Sequence, residues 1–169
     1  MVMNILVVFT SRDKLEFTHS WKYFQEANAI VTVASPSGGL APPDPNSTKI
    51  PKEDLLSTSF SGEQKGHWEN ILTIPSVLGK PGDFDVVFSP GGHGPVYDLA
   101  NDAASQQVIA ESWDGGKIVA AVCHESAALA NVKLTNGNLL LKGKMLKPFG
   151  EKAAVDGRLN TDQNPASAE

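Results

Sequence analysis

Cys123 is the chain's single cysteine, and it stands where an apolar run stops and a helical pattern starts. Residues 117–122, Lys-Ile-Val-Ala-Ala-Val, read as a buried strand of a parallel sheet introduced by the turn signal Asp114-Gly115-Gly116, and residues 126–131 read as helix. A thiol in such a turn lies at the carboxyl end of a strand, where open α/β sheets bind their ligands. The helix N-terminus beside it favours thiolate over thiol, and His124 could supply a further stabilising charge. A lone cysteine in an apolar run is more often inert core than nucleophile; the elbow is what marks this one.

Two other constellations could join it. Pro90-Gly-Gly-His-Gly94 follows a predicted strand and opens a helix. Glycines there let backbone N–H groups approach a substrate oxygen, although the same run also makes an ordinary tight turn. Glu16 falls in the first turn of a predicted helix, where the helix dipole favours an exposed acid in any protein. If the first strand and the strand before Cys123 were neighbours, Glu16 and Cys123 would converge above the sheet. A desolvated carboxyl beside a thiolate has a raised pKa and can shuttle a proton. His19 and His93 lack HxxxH or CxxC spacing, so no metal site is expected. Neither GxGxxG nor GxxxxGK[ST] occurs, so nothing specific supports a nucleotide.

The elements that must position these groups are legible in part. Residues 4–9 form an apolar strand run. Leu15, Phe17, Trp21, Phe24 and Ala27 recur at helical spacing, and residues 29–34 give a second strand, which completes a βαβ unit. Ser35 to Ser47 carries four prolines and two glycines and reads as loop. Residues 49–82 are weakly periodic, and only a short helix over 61–68 is expected there. Residues 83–89 form a third strand, helical stretches follow over 96–99 and 103–113, and the elbow strand is the fourth. Asn136-Gly137 signals a hairpin between residues 132–134 and 139–141, and residues 154–159 read as a short tail strand.

A length of 169 residues with 41% hydrophobic content suits one domain, residues 1–169, large enough to bury a full core. A net charge of −5 argues against nucleic acid or an anionic membrane as partner. One cysteine permits no internal disulfide, and the apolar residues 1–10 are too short to span a bilayer, so a cytosolic (cytoplasmic) protein is expected.

Taken together, residues 89–95 (SPGGHGP), 119–124 (VAAVCH) and 156–167 (DGRLNTDQNPAS), with 34–39 (ASPSGG) and Asp44-Pro45, resemble the ThiJ/PfpI superfamily in composition and order. The branch is similar to that of the heat-shock chaperones with glutathione-independent glyoxalase (glyoxalase III) activity. The resemblance implies an α/β fold, a flavodoxin-like three-layer sandwich around a mostly parallel sheet, and a homodimer. It implies that Cys123 is the nucleophile, His124 the adjacent base or orienting group, and Glu16 the proton-sharing carboxyl within Glu16-Phe-Thr-His-Ser20. Gly91, Gly92 and His93 would border the oxyanion pocket, and Glu151 is the candidate for a third acid. The implied reaction is a lyase (D-lactate dehydratase type) conversion of a small 2-oxoaldehyde, methylglyoxal or glyoxal, to lactate or glycolate without a cofactor. The sequence also departs from the pattern: Glu125-Ser126 replaces Gly-Pro after Cys-His, and the stretch between Lys147 and Ala154 lacks several dozen family residues. Two alternatives therefore stand beside the enzyme: a stress-response holdase or redox-responsive protein that binds unfolded clients, and a truncated, inactive paralogue.

Overall fold

The computed structural model describes residues 2–10, 15–39, 71–91, 99–122 and 126–144, with residues 15, 16, 126 and 127 described by their backbone alone. Five strands, Asn4–Val8 (β1), Ile30–Ser35 (β2), Leu72–Thr73 (β3), Val86–Ser89 (β4) and Ile118–Ala121 (β5), form one sheet in the order β3-β2-β1-β4-β5. Every neighbouring pair is parallel, with Val7 opposite Val33 and Phe88, and Ser89 opposite Ala121.

Why β1 is apolar throughout follows from its place. As the central strand it is buried on both faces: Ile5, Val7 and Phe9 enter one core, Leu6 and Val8 the other, and none is more than 5% exposed. The helix Leu15–Glu26 (α1) lies on the first face. Its Phe17 and Trp21 pack with Ile5, Val7, Phe9, Val33 and Phe88. The rings of Phe17 and Phe9 meet edge-on at 4.9 Å, as do those of Phe24 and Phe88 at 5.4 Å. Ile74–Val77 (α2), Ala103–Asp114 (α3) and Ser126–Ala130 (α4) lie on the other face, where Ile74, Val77, Val108, Ile109 and Leu129 close over Leu6, Val8, Ala34 and Val87. Helix, parallel sheet and helices thus make the flavodoxin-like α/β sandwich that the motifs implied.

Local chemistry fixes the boundaries. Asp102 caps α3 by accepting the Ser105 N–H at 2.7 Å, and the predicted turn over Asp114-Gly115-Gly116 ends it, with Gly116 at φ +73°. The third strand is shorter than the sequence suggested, because Pro81–Asp83 forms a 3-10 turn before it.

Elsewhere the structure differs from expectation. β3 and α2 were not legible, being two and four residues long, too short for any period to register. Leu99–Asn101 is a 3-10 turn, while residues 96–98 of the expected helix lie outside the described residues. So do the helix over 61–68 and the strand over 154–159. The Asn136-Gly137 turn forms, with Gly137 at φ +79°, but it joins no pair of strands: only Lys133 and Leu139 bridge. Val132, Leu140 and Leu141, at 0%, 3% and 5% exposed, are drawn into the core around α3 and α4 instead of extending a ladder.

Candidate active site

The topological switch of the sheet lies between β1 and β4. From β1 the strand order runs outward through β2 to β3 on one side and through β4 to β5 on the other. Ligands of such sheets bind beyond the carboxyl ends of the strands at the reversal. At that edge β1 leads into Thr10, 1% exposed; β4 ends on Ser89, also 1% exposed, followed by buried Pro90 and Gly91. The β4–β5 ladder continues one residue past the last strand pair, where the Val122 N–H donates to the Ser89 carbonyl at 3.2 Å. Likewise, the Phe9 N–H donates to the Ala34 carbonyl at 2.8 Å. Three parallel strands therefore finish on one edge in a continuous hydrogen-bonded frame.

Against that frame the sequence-derived residues divide into three groups. Gly91 is described, and it sits buried two residues beyond the end of β4. The backbone of Glu16 lies in the first turn of α1, as expected, while its side chain lies outside the described residues. Gly92, His93, Cys123, His124 and Glu151 also lie outside the described residues.

The strand order bears on the convergence of Glu16 with Cys123. That idea began from the first and fourth predicted strands being neighbours, and they are not: β4 stands between β1 and β5. At a strand spacing of about 4.8 Å this separates β1 from β5 by about 10 Å. The loop after β4, which begins with Pro90 and Gly91, thus leaves the sheet between the segments that carry Glu16 and Cys123 in sequence.

Sequence reading passed over the buried hydroxyls of this edge. Thr10 and Ser89, together with Ser35 at the end of β2, are each no more than 2% exposed. The Ser35 hydroxyl oxygen accepts the Gly38 N–H at 3.0 Å and so fixes the turn out of β2. Thr18, one turn into α1, is 1% exposed, and its hydroxyl has no hydrogen-bond partner among the described residues. The signal was present: each strand run ends in a single small hydroxyl residue, as Phe9-Thr10, Ala34-Ser35 and Phe88-Ser89. Such a residue also begins most turns, so the pattern alone did not mark the site.

Comparison with known proteins agrees with the motifs. The model of the DJ-1/PfpI family matches residues 3–168. Glyoxalase 3 of Candida albicans is 26% identical over 145 residues, covering 80% of this chain and 58% of that protein. A glutathione-independent glyoxalase of Schizosaccharomyces pombe is 28% identical over 116 residues, covering 67% of this chain and 48% of the relative. This chain thus spans about half the length of the curated relatives it matches. Among solved structures, the Rapid Encystment Protein of Francisella tularensis superposes with a TM-score of 0.71 at 27% identity, over 83% of this chain and 67% of that one. With the parallel sandwich and the ordered motifs already in hand, these matches establish that the chain belongs to the DJ-1/PfpI family, in the branch that includes the glutathione-independent glyoxalases.

Proposed function

We propose that this chain acts on small 2-oxoaldehydes by glutathione-independent glyoxalase chemistry, with Cys123 as nucleophile. One structural observation carries the reading: β1, β4 and β5 end together at the switch point, and β4 and β5 are still in register at Ser89 and Ala121. Gly91 and Cys123 each follow that pair by two residues in sequence. Such spacing suits a nucleophile beside a glycine-lined oxyanion pocket. The relatives' names, and the motif around Cys123-His124, support the same assignment.

In this reaction the thiolate adds to the aldehyde carbon of methylglyoxal and gives a hemithioacetal. Glu16 or His124 takes the proton from that carbon and returns it to the neighbouring carbon, which converts the adduct to a thioester. Water then cleaves the thioester, releasing lactate and restoring the thiol. Gly91, Gly92 and His93 would hold the oxyanion, and Glu151 would serve as a third acid. The net change is addition of one water to methylglyoxal, so neither oxidant nor cofactor enters the balance.

Methylglyoxal consumption without glutathione, with lactate as product, tests the proposal. Wild-type protein should turn over, and Cys123→Ser should lose activity by roughly a thousandfold or more, as knockouts of a nucleophile do. Absence of turnover in folded wild-type protein would remove the enzymatic reading. If wild-type protein and Cys123→Ser then suppressed client aggregation equally, the holdase reading would take its place.

A further inference from the structure

We propose that β5 is the docking edge for a second copy of this chain, the two β5 strands pairing antiparallel across a two-fold axis at Ala120. The proposal is independent of the glyoxalase reading and rests on the exposure and hydrogen bonding of a single strand. β5 ends the sheet, and among the described residues it pairs with β4 alone. The N–H groups of Ile118 and Val122 donate toward β4, to the Asp85 and Ser89 carbonyls at 3.1 and 3.2 Å. By the alternation of a parallel ladder, Val119 and Ala121 direct their N–H and C=O groups outward. Yet none of the usual devices guards this edge. Ile118-Val-Ala-Ala-Val122 contains no proline, charge or glycine, and Lys117 at its entry sits 4.0 Å from Asp85.

The same strand leaves apolar surface uncovered. Ile118, Ala120 and Val122 share the face on which α1 packs, and α1 closes over β2, β1 and β4. Ile118 remains 61% exposed and Val122 51%, whereas parallel strands are ordinarily covered on both faces.

A second copy answers both needs at one register. A two-fold axis perpendicular to the sheet keeps the α1 faces together and places residues of like parity opposite one another. Centred on Ala120, it sets Ile118 against Val122 of the other copy, twice over, so that the two exposed side chains cover each other around a small residue. It also makes Val119 and Ala121 a hydrogen-bonded pair, which uses the outward groups. Shifting the axis by one residue would leave either Ile118 or Val122 bare. Charge agrees with this direction of pairing. Each copy carries a net −5, but Lys117 immediately precedes the strand and Glu125 follows Val122 by three residues, so antiparallel pairing brings the basic end of each copy to the acidic end of the other.

Sedimentation velocity across the micromolar range, on the full chain, tests the proposal. Wild-type protein should be a dimer that dissociates on dilution. Ile118→Lys should sediment as a monomer with unchanged circular dichroism, while Leu72→Lys, on the exposed strand at the opposite end of the sheet, should remain dimeric. Register is read by cross-linking in a Cys123→Ser background. Ala120→Cys faces itself across a non-hydrogen-bonded pair, at a Cα separation of about 4.5 Å that a disulfide can span, and mild oxidation should yield covalent dimer. Val119→Cys faces Ala121 and should not. A wild-type monomer at all concentrations, a dimer indifferent to Ile118→Lys, or equal cross-linking at residues 119 and 120 overturns the proposal.

Discussion

Glu125 is the residue on which the proposed chemistry is most exposed to test. It follows Cys123-His124 where the motif of the family has glycine, and a carboxylate close to a thiol opposes its ionisation by like charge. The sign is definite: removing the negative charge stabilises the thiolate and lowers the thiol pKa. Glu125→Gln is therefore expected to move the pH dependence of Cys123 alkylation by iodoacetamide toward lower pH, and to speed alkylation at neutral pH. An unchanged profile would mean that the carboxylate does not sense the sulfur. Thr18 offers a second test at this scale. A buried hydroxyl without a partner costs desolvation free energy that an isosteric methyl does not. Thr18→Val should leave stability unchanged or raise it by up to about 1 kcal/mol in urea denaturation. A loss of that size would show that the hydroxyl is bridged.

At the scale of elements, α3 and the turn after β2 hold the frame that the site needs. Ile109 of α3 is fully buried against the sheet, so Ile109→Ala should cost about 2–5 kcal/mol through lost burial and the cavity left behind. Asp102→Ala removes the cap of the same helix and should cost about 1 kcal/mol. The two positions separate core from cap in one denaturation series. Gly38 is constrained twice, by φ +63° and by the 2.8 Å that would separate a Cβ from the Thr73 side chain. Gly38→Ala is thus expected to destabilise the turn joining β2 to β3, and faster proteolysis of the loop side of β2 would report it. Residues 71–77 also explain a gap in the sequence reading. Ile71, Ile74 and Val77 are all buried, but they are spread over a bridge, a two-residue strand and a four-residue helix, none of which completes a period.

For the whole molecule, length is the governing fact. The chain matches its family from residue 3 to 168 yet spans about half of its curated relatives, and its described sheet ends on a strand with apolar side chains at the surface. Exposed residues contribute little to monomer stability, so Ile118→Lys should shift the denaturation midpoint by no more than about 0.5 kcal/mol while abolishing association. A large loss of monomer stability instead would mean that Ile118 is covered within one chain.

The sequence by itself determined the local alphabet of this protein. The all-apolar run of β1, the 15–26 helix with Phe17 and Trp21 on one stripe, the Asp-Gly-Gly turn and the ordered motifs were legible because each depends on contacts close along the chain or on the chemistry of a few adjacent residues. Only the tertiary structure decided strand order. That β4 separates β1 from β5, that Asn136-Gly137 closes a turn rather than a hairpin, and that Thr10, Ser35 and Ser89 are buried together at the carboxyl edge all depend on which distant segments pack together. Burial rewards such pairings only after the chain has closed over long loops, so no short stretch of residues carries their signature.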